Sequence, residues 1–318
     1  MEHSRDSLQN RALTMTYQPR RSELICPGHS IKMMEKAADS DADEVIFDLE
    51  DACAFSQKTK ARQEVARALA ELKFRGGKLR AFRVNAVDTP FCFRDVWEVL
   101  QAAGKHVDVI ILPKVNQPAD IHFLCKLLEQ MEADLGLVRG KIQIEAQIET
   151  ALGLHNAYEI AKASPRVCSL IFGIADFAGD WGARDFKEDA QRLFYFPRAQ
   201  MLNAARAAGV DAIDAVTVQF RDAELVAHDA REAAKMGYDG KWAIHPSQLA
   251  PIHAAFTPST AELERARSII EAYRQADIHR GMGAIVVGDE MVDAATLKVE
   301  TKKLAIWEKI SAATVASS

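Results

Sequence analysis

Eight short runs of β-type apolar residues follow one another along this chain at intervals of about 30 residues, each separated from the next by a helical pattern. They are "ELICPG", "DEVIFDLE", "RAFRVNA", "DVIILPKV", "KIQIEAQIE", "SLIFGIADF", "AIDAVTVQF" and "GKWAIHP". The stretches between them, such as "SQKTKARQEVARALAEL", "PADIHFLCKLLEQMEADLG" and "EDAQRLFYFPRAQMLNAARAAG", are amphipathic, and Gly209 sits where a helix needs a left-handed cap. Regular β/α alternation calls for parallel strands joined by helical crossovers. Eight such units in roughly 250 residues predict an α/β fold, a TIM (β/α)8 barrel, better than an open doubly wound sheet. A dinucleotide-binding sheet would carry GxGxxG after its first strand. Here "CPGHSIKMM" follows with a single glycine, and no P-loop pattern occurs.

The predicted organisation is a flexible lead over 1–20, a barrel over 21–256 and an extension over 257–318. In the extension, Pro258 and a Ser259–Glu262 capping-box pattern open a helix, "RGMGAIVVGDEMVD" reads as a hairpin, and "AATLKVETKKLAIWEKI" as a last helix. The final "SAATVASS" reads as frayed. A barrel does not need these residues, so they are expected to form a lid or an oligomerisation arm. With 48% apolar residues the chain can bury a sizeable core, and a net charge of −5 without like-charge runs gives no reason to expect nucleic acid. No uncharged apolar run reaches the roughly 18 residues of a membrane span, and the polar N-terminus lacks a signal-peptide core. Cys26, Cys53, Cys92, Cys125 and Cys168 are odd in number and form no CxxC, which fits reduced thiols in a cytoplasm.

The stretch "KIQIEAQIETALGL" divides by twos. Ile142, Ile144, Ala146 and Ile148 fall on one side, and Gln143, Glu145, Gln147 and Glu149 on the other. In a barrel the polar side points inward, so Gln143 and Glu145 sit deep while Glu149 emerges at the C-terminal mouth, where barrel active sites lie. Other strands end in polar groups too: Asp48 and Glu50 in "DLED", Arg83 and Asn85 in "FRVN", Lys114 in "LPK", Asp176 in "GIADF". Gln143 and Glu145 read as structural interior groups, Asp48 as a cap or partner of a buried arginine, and Lys114 as a carboxylate partner. Glu149 and Asp176 end neighbouring strands, and two carboxylates meeting there repel unless a cation or a shared proton intervenes. Two carboxylates plus water suit Mg2+. His122, His155, His228 and His253 have no HxxxH or HxH spacing and read as ordinary side chains.

Taken in order, "RSELICPG…MEKAA", "FDLEDA", "FRVNAVDTPF", "ILPKV", "IETALGL", "GIADF", "GKWAIHPSQ" and "GDEMVDAATLK" resemble the citrate lyase β-subunit-like branch of the HpcH/HpaI aldolase superfamily. Within it the chain looks most like malyl-CoA and β-methylmalyl-CoA lyases, over about residues 20–310. The resemblance implies a magnesium-dependent carbon–carbon lyase (Mn2+ serving as a substitute) acting on acyl-CoA, with Glu149 and Asp176 as metal ligands. It implies that Arg83 contacts the thioester or acyl oxygens, that Glu50 supports the metal's water shell, and that Asp293 acts as acid/base in a neighbouring subunit's mouth. It also implies a homotrimer or a dimer of trimers. Coenzyme A would lie along Ile25, Lys36, Ala175, Ile244 and His245, with Lys32 and Lys36 near its phosphates.

Two departures bear on the acyl substrate. Ser30 stands where many malyl-CoA lyases have arginine, and "DAIDAVTVQFRD" is more like citrate lyase β and citramalyl-CoA lyases. Citramalyl- or citryl-CoA cleavage, malyl-CoA thioester hydrolysis, a Schiff-base aldolase at Lys114 and a non-catalytic CoA-binding subunit stand as alternatives.

Overall fold

The computed structural model describes residues 18–187, 190–280 and 283–316. Residues 1–17, most of the lead, therefore lie outside the described residues, as does Gly281. The chain divides into two compact units, one spanning Arg20–Phe256 and the other holding Thr257 onward.

The first unit is a closed barrel of eight parallel strands, each paired with its neighbours in sequence and the last with the first. The strands are β1 (Ser22–Pro27), β2 (Glu44–Asp48), β3 (Leu79–Arg83), β4 (Val109–Leu112), β5 (Gln143–Ile148), β6 (Val167–Phe172), β7 (Asp211–Asp214) and β8 (Gly240–Ala243). β2 and β4 are buried along their whole length, the reason these segments read as continuous apolar runs. The lumen has three levels. A polar floor holds Arg20, Glu23, Glu44 and Glu145, all buried. Ile46, Ala81, Ile111, Ile171, Ile213 and Trp242 form an apolar plug. Above the plug, the strand C-termini open as the mouth.

The helices that position the site are α1 (Ile31–Asp39), α2 (Lys58–Glu71), α3 (Cys92–Ala103), α4 (Pro118–Asp134), α5 (Ala151–His155), α6 (Ala157–Lys162) and α7 (Ile174–Trp181). The predicted helix after β6 divides into α8 (Ala190–Leu193) and α9 (Tyr195–Ala208), and Gly209 caps α9 at φ 76° as expected. α10 (Ala223–Met236) and α11 (Leu249–Phe256) complete the ring. Three readings of the sequence need correction. β6 ends at Phe172, so "ADF" belongs to the first turn of α7; β7 ends at Asp214, so "AVTVQF" is not strand.

In the second unit, α12 (Thr260–Arg280) begins at the predicted capping box, with Glu262 accepting from the Ser259 N–H (2.8 Å). β9 (Ala284–Val287) and β10 (Glu290–Asp293) pair antiparallel as the predicted hairpin. The third correction falls here: α13 (Ala294–Ala316) continues through most of the tail expected to fray.

Candidate active site

The mouth is built from strand ends and the turns that follow them. Asp48 closes β2, fully buried. Its carboxylate accepts both the Arg83 Nε and Nη2 donors (2.7 and 2.8 Å) and the backbone N–H groups of Glu50 and Ala52 (2.9 Å each). Burial works against its charge, but the Arg83 guanidinium holds it below the ordinary carboxylate range. The arginine-partner reading of Asp48 is the observed one. Arg83 in turn lies over the Trp242 ring, 5.5 Å from its centroid, and its Nη1 reaches Glu50 (3.0 Å) and Gln147 (3.4 Å). A guanidinium locked on one edge by a carboxylate and on one face by an indole is a cation of fixed direction.

Asn85, expected on the same face as Arg83, does a different job. It bonds Asp95 and the Leu49 carbonyl and accepts from the buried Lys58 amine (2.6 Å), which also bonds the carbonyls of Leu49 and Glu50 (2.7 Å each). Lys58, missed by the sequence reading, thus pins the "DLED" turn and so aims Glu50. Nothing in a lysine at the start of a helix signals that role.

Glu149 follows β5 and is 1% exposed. Its Oε2 accepts from the Lys114 backbone N–H at 3.0 Å. Its Cγ lies where a side chain on Gly173 would begin: a Cβ there would fall 2.3 Å from it. The glycine that separates β6 from α7 is therefore a seat for Glu149, a second role the sequence reading missed, although a glycine between strand and helix is a visible signal. Thr150 caps α5, its Oγ1 accepting from Gly153 N–H (2.9 Å), and Gly153 has no room for a Cβ against the Val115 carbonyl (2.4 Å). Together these fix the "IETALG" turn.

Burial pushes the Glu149 carboxyl up to about 8, with Glu50 and Asp176 adding to the rise and Arg83 and Lys114 opposing it. A carboxylate this desolvated beside two others is stabilised as an anion by a cation at its free oxygen. Asp176, in the first turn of α7, is partly exposed and lies 3.7 Å from the Lys114 amine. Lys114 also holds Glu50 (2.5 Å) and Asp51 (3.2 Å). Among the described residues, the trio of potential metal ligands within mutual reach (4.8 Å) is Glu23, Glu44 and Glu145 in the floor, not a set at the mouth. Glu149 and Asp176 are hard oxygen donors with no histidine or thiol beside them, a donor set that fits Mg2+ completed by water and substrate.

The remaining expected contacts are spread around the rim. Ile25 is half-buried in β1, Lys32 and Lys36 are exposed on α1, Ala175 is exposed in α7, and Ile244 and His245 are exposed just after β8. His245 stacks on Phe220 (centroids 4.7 Å apart) and bonds Ser247 (2.8 Å). Ser30 caps α1 without a side-chain hydrogen bond. In the second unit, Asp293 accepts from the N–H groups of Ala295 and Thr296 (2.9 Å each) and so caps α13. Those bonds hold its carboxyl below the usual range. The five cysteines are free thiols.

Comparison with known proteins agrees with the barrel fold. The family model HpcH/HpaI aldolase/citrate lyase matches residues 21–246. The chain is 36% identical over 295 residues to the L-malyl-CoA/β-methylmalyl-CoA lyase of Cereibacter sphaeroides, covering 88% of this chain and 92% of that one. It is 36% identical over 294 residues to the (3S)-malyl-CoA thioesterase of the same organism, covering 92% and 96%. Among solved structures it resembles the protein CitE of Mycobacterium tuberculosis in complex with magnesium, acetoacetate and coenzyme A, with 28% identity, a TM-score of 0.74, and coverage of 91% and 98%.

Proposed function

The chain belongs to the HpcH/HpaI aldolase/citrate lyase family, and from that premise we propose that it cleaves a carbon–carbon bond in a 3-hydroxyacyl-CoA. L-Malyl-CoA or β-methylmalyl-CoA would yield acetyl- or propionyl-CoA and glyoxylate. The observation that carries the reading is the buried Glu149 carboxylate, held on one oxygen by a main-chain N–H and close enough to Asp176 for the two negative charges to oppose each other. These two residues would hold Mg2+, or Mn2+ in its place. When bound, the ion supplies Lewis-acid polarisation of the substrate's hydroxyl and carboxylate oxygens.

The other steps belong to the chain itself. Cleavage deprotonates the hydroxyl, breaks the adjacent carbon–carbon bond and leaves a thioester enolate. Arg83, aimed by Asp48 and Trp242, stabilises charge on the enolate oxygen. Glu50, gripped by Arg83 and Lys114, orients water. Asp293 from a neighbouring subunit of a trimer or dimer of trimers, ionised at the start, takes the hydroxyl proton as base and returns it to the enolate carbon as acid. Coenzyme A would lie along Ile25, Lys32, Lys36, Ala175, Ile244 and His245. The Schiff-base alternative is disfavoured: burial works against the Lys114 charge, yet Glu50, Glu149 and Asp176 hold its pKa above the ordinary range, and a protonated amine is no nucleophile.

Similarity to a thioesterase supports a second reading, hydrolysis of the thioester. One panel separates the two. Malyl-, methylmalyl-, citramalyl- and citryl-CoA are assayed with Mg2+ for 2-oxo acid and for free CoA. Lysis gives a 2-oxo acid (glyoxylate, pyruvate or oxaloacetate according to the substrate) with CoA still acylated, and hydrolysis gives free CoA and the intact hydroxy acid with no 2-oxo acid. EDTA abolishes activity and added Mg2+ or Mn2+ restores it; full activity in excess chelator sinks the metal reading. For Asp293, the Asn variant is expected to fold, bind CoA and lose roughly 10²–10⁴-fold in rate. Mixed and subunit-exchanged with Glu149→Gln, it regains part of the activity. If Asp293 is a cap and nothing more, the Asn variant, itself a good N-cap, keeps its rate and its melting temperature, and Asp293→Ala melts lower with its rate unchanged.

A further inference from the structure

Lys114 is the non-glycine residue with a left-handed backbone among the described residues, at φ 53°. A side chain in that region is strained, and glycine is the ordinary occupant. Strain of this kind persists where the surroundings impose it, commonly at functional sites. Here the turn sends two successive N–H groups to β5 and its end: that of Lys114 to the Glu149 carboxylate (3.0 Å) and that of Val115 to the Gln147 carbonyl (3.3 Å). Glycine would serve this purpose without strain. What glycine lacks is the amine, which meets Glu50 at 2.5 Å, Asp51 at 3.2 Å and Asp176 at 3.7 Å. One residue therefore touches Glu149 through its main chain and three further carboxylates through its side chain.

Resting on the metal-dependent reading above, we propose that Lys114 is a positioning residue that sorts the mouth's carboxylates. Its left-handed main chain orients Glu149 toward the cation position, while its ammonium holds Glu50 away from it. Glu149 and Asp176 are left as direct ligands, and the other coordination positions stay open to water and substrate. The arrangement makes an unusual demand. A lysine this close to a cation site repels the cation, so it weakens metal binding while preserving the open positions that turnover needs. Removing it releases one Glu50 oxygen, the other staying with Arg83 at 3.0 Å, and that oxygen can then occupy one of them.

The test is Mn2+ titration by calorimetry on the metal-free protein without substrate, alongside kcat and melting temperature. Lys114→Met is expected to bind Mn2+ roughly thirtyfold more tightly, the effect of removing one unit charge near 4 Å from a divalent ion in a water-like dielectric, while kcat falls at least about tenfold, as for loss of a group that orients metal ligands. Lys114→Arg returns both values toward wild type. Adding Glu50→Gln to Lys114→Met removes the excess affinity. Lys114→Gly keeps the backbone turn without strain, and it melts above Lys114→Ala because both lack the amine and differ in the left-handed conformation. Unchanged or weaker Mn2+ binding in Lys114→Met, or a kcat within twofold of wild type, overturns the assignment. So does a Lys114→Ala that melts as high as Lys114→Gly. If wild type binds no Mn2+, or Glu149→Gln binds it equally well, the metal reading itself falls. If Glu149→Gln loses binding and Lys114→Met is unaltered, only the role of Lys114 does.

Discussion

Both ends of the barrel gather carboxylates around an arginine, and the two ends differ in how many aimed donors each acid is given. At the floor, Arg20 faces Glu145 at 2.8 Å and Glu44 at 3.5 Å, with Asp211 at 3.3 Å and Gln143 accepting at 2.9 Å. Glu23, Glu44 and Glu145 are each fully buried, with oxygens within 4.8 Å of one another. Burial pushes the carboxyls of Glu23 and Glu44 far up, each aided by Glu145; burial raises Glu145 too, with the Arg20 guanidinium opposing the rise. The floor thus carries its surplus acids in neutral form. At the mouth, Asp48, Glu50 and Glu149 each have a dedicated donor in Arg83, Lys114 or the backbone. Burial raises Glu149 and Glu50 at the mouth as well, but each keeps an aimed donor there. A cation at the free Glu149 oxygen can therefore displace its proton, whereas the floor acids have no such opening.

Removing a mouth ligand is expected to have the largest effect. Glu149→Gln leaves the fold intact and lowers kcat on the order of 10³-fold, the equivalent of several kcal/mol of lost oxygen polarisation. Turnover near wild type in that variant would end the contrast between the two ends. Next comes Arg83→Lys, which keeps a cation but cannot hold both Asp48 oxygens and present a further N–H. A rate loss of about 10²-fold is expected, and kinetics like wild type would make Arg83 structural.

Gly173→Ala sharpens the comparison without touching a charge. A Cβ at that place forces Glu149 aside, and a displaced ligand costs roughly 10–10²-fold in rate. The variant should bind Mn2+ more weakly while its circular dichroism stays unchanged; unaltered Mn2+ affinity shows that Glu149 needs no such seat.

The smallest effect belongs to the floor. Because the folded-state pKa of Glu44 lies above its unfolded value, its ionisation opposes folding once the pH exceeds the unfolded value of about 4.3. Stability from this group is complete below that pH and is lost as pH rises toward the folded-state value. Glu44→Gln, neutral throughout, is therefore expected to melt a few degrees above wild type at pH 7–8. The gain should shrink to nothing near pH 4, with kcat unaltered at every pH. A destabilised Glu44→Gln at pH 8 would mean that Glu44 is ionised beside Arg20.

The β/α period predicted the barrel, and the alternation in "KIQIEAQIE" identified an inward polar row, with Gln143 and Glu145 deep and Glu149 at the rim. Both patterns are local: a strand or helix shows its buried face in its own few residues. The strand ends at β6 and β7 were misread because apolar residues continue into α7 and the following loop, and periodicity cannot separate those from strand. The residue pattern offered Asp48 an arginine and Lys114 a carboxylate as partner classes, but not which residues would meet. Asp48 meets Arg83 from 35 positions away, Lys114 meets Glu50 from 64, and Arg20 meets Gln143 from 123. Closure of the barrel and strand register bring these pairs together, and they decide which carboxylates are neutral, which are braced and which are free to bind. The residue types along the chain supplied the acids and bases; only the tertiary structure, by setting each one's distance to a partner and to water, gave them different chemistry.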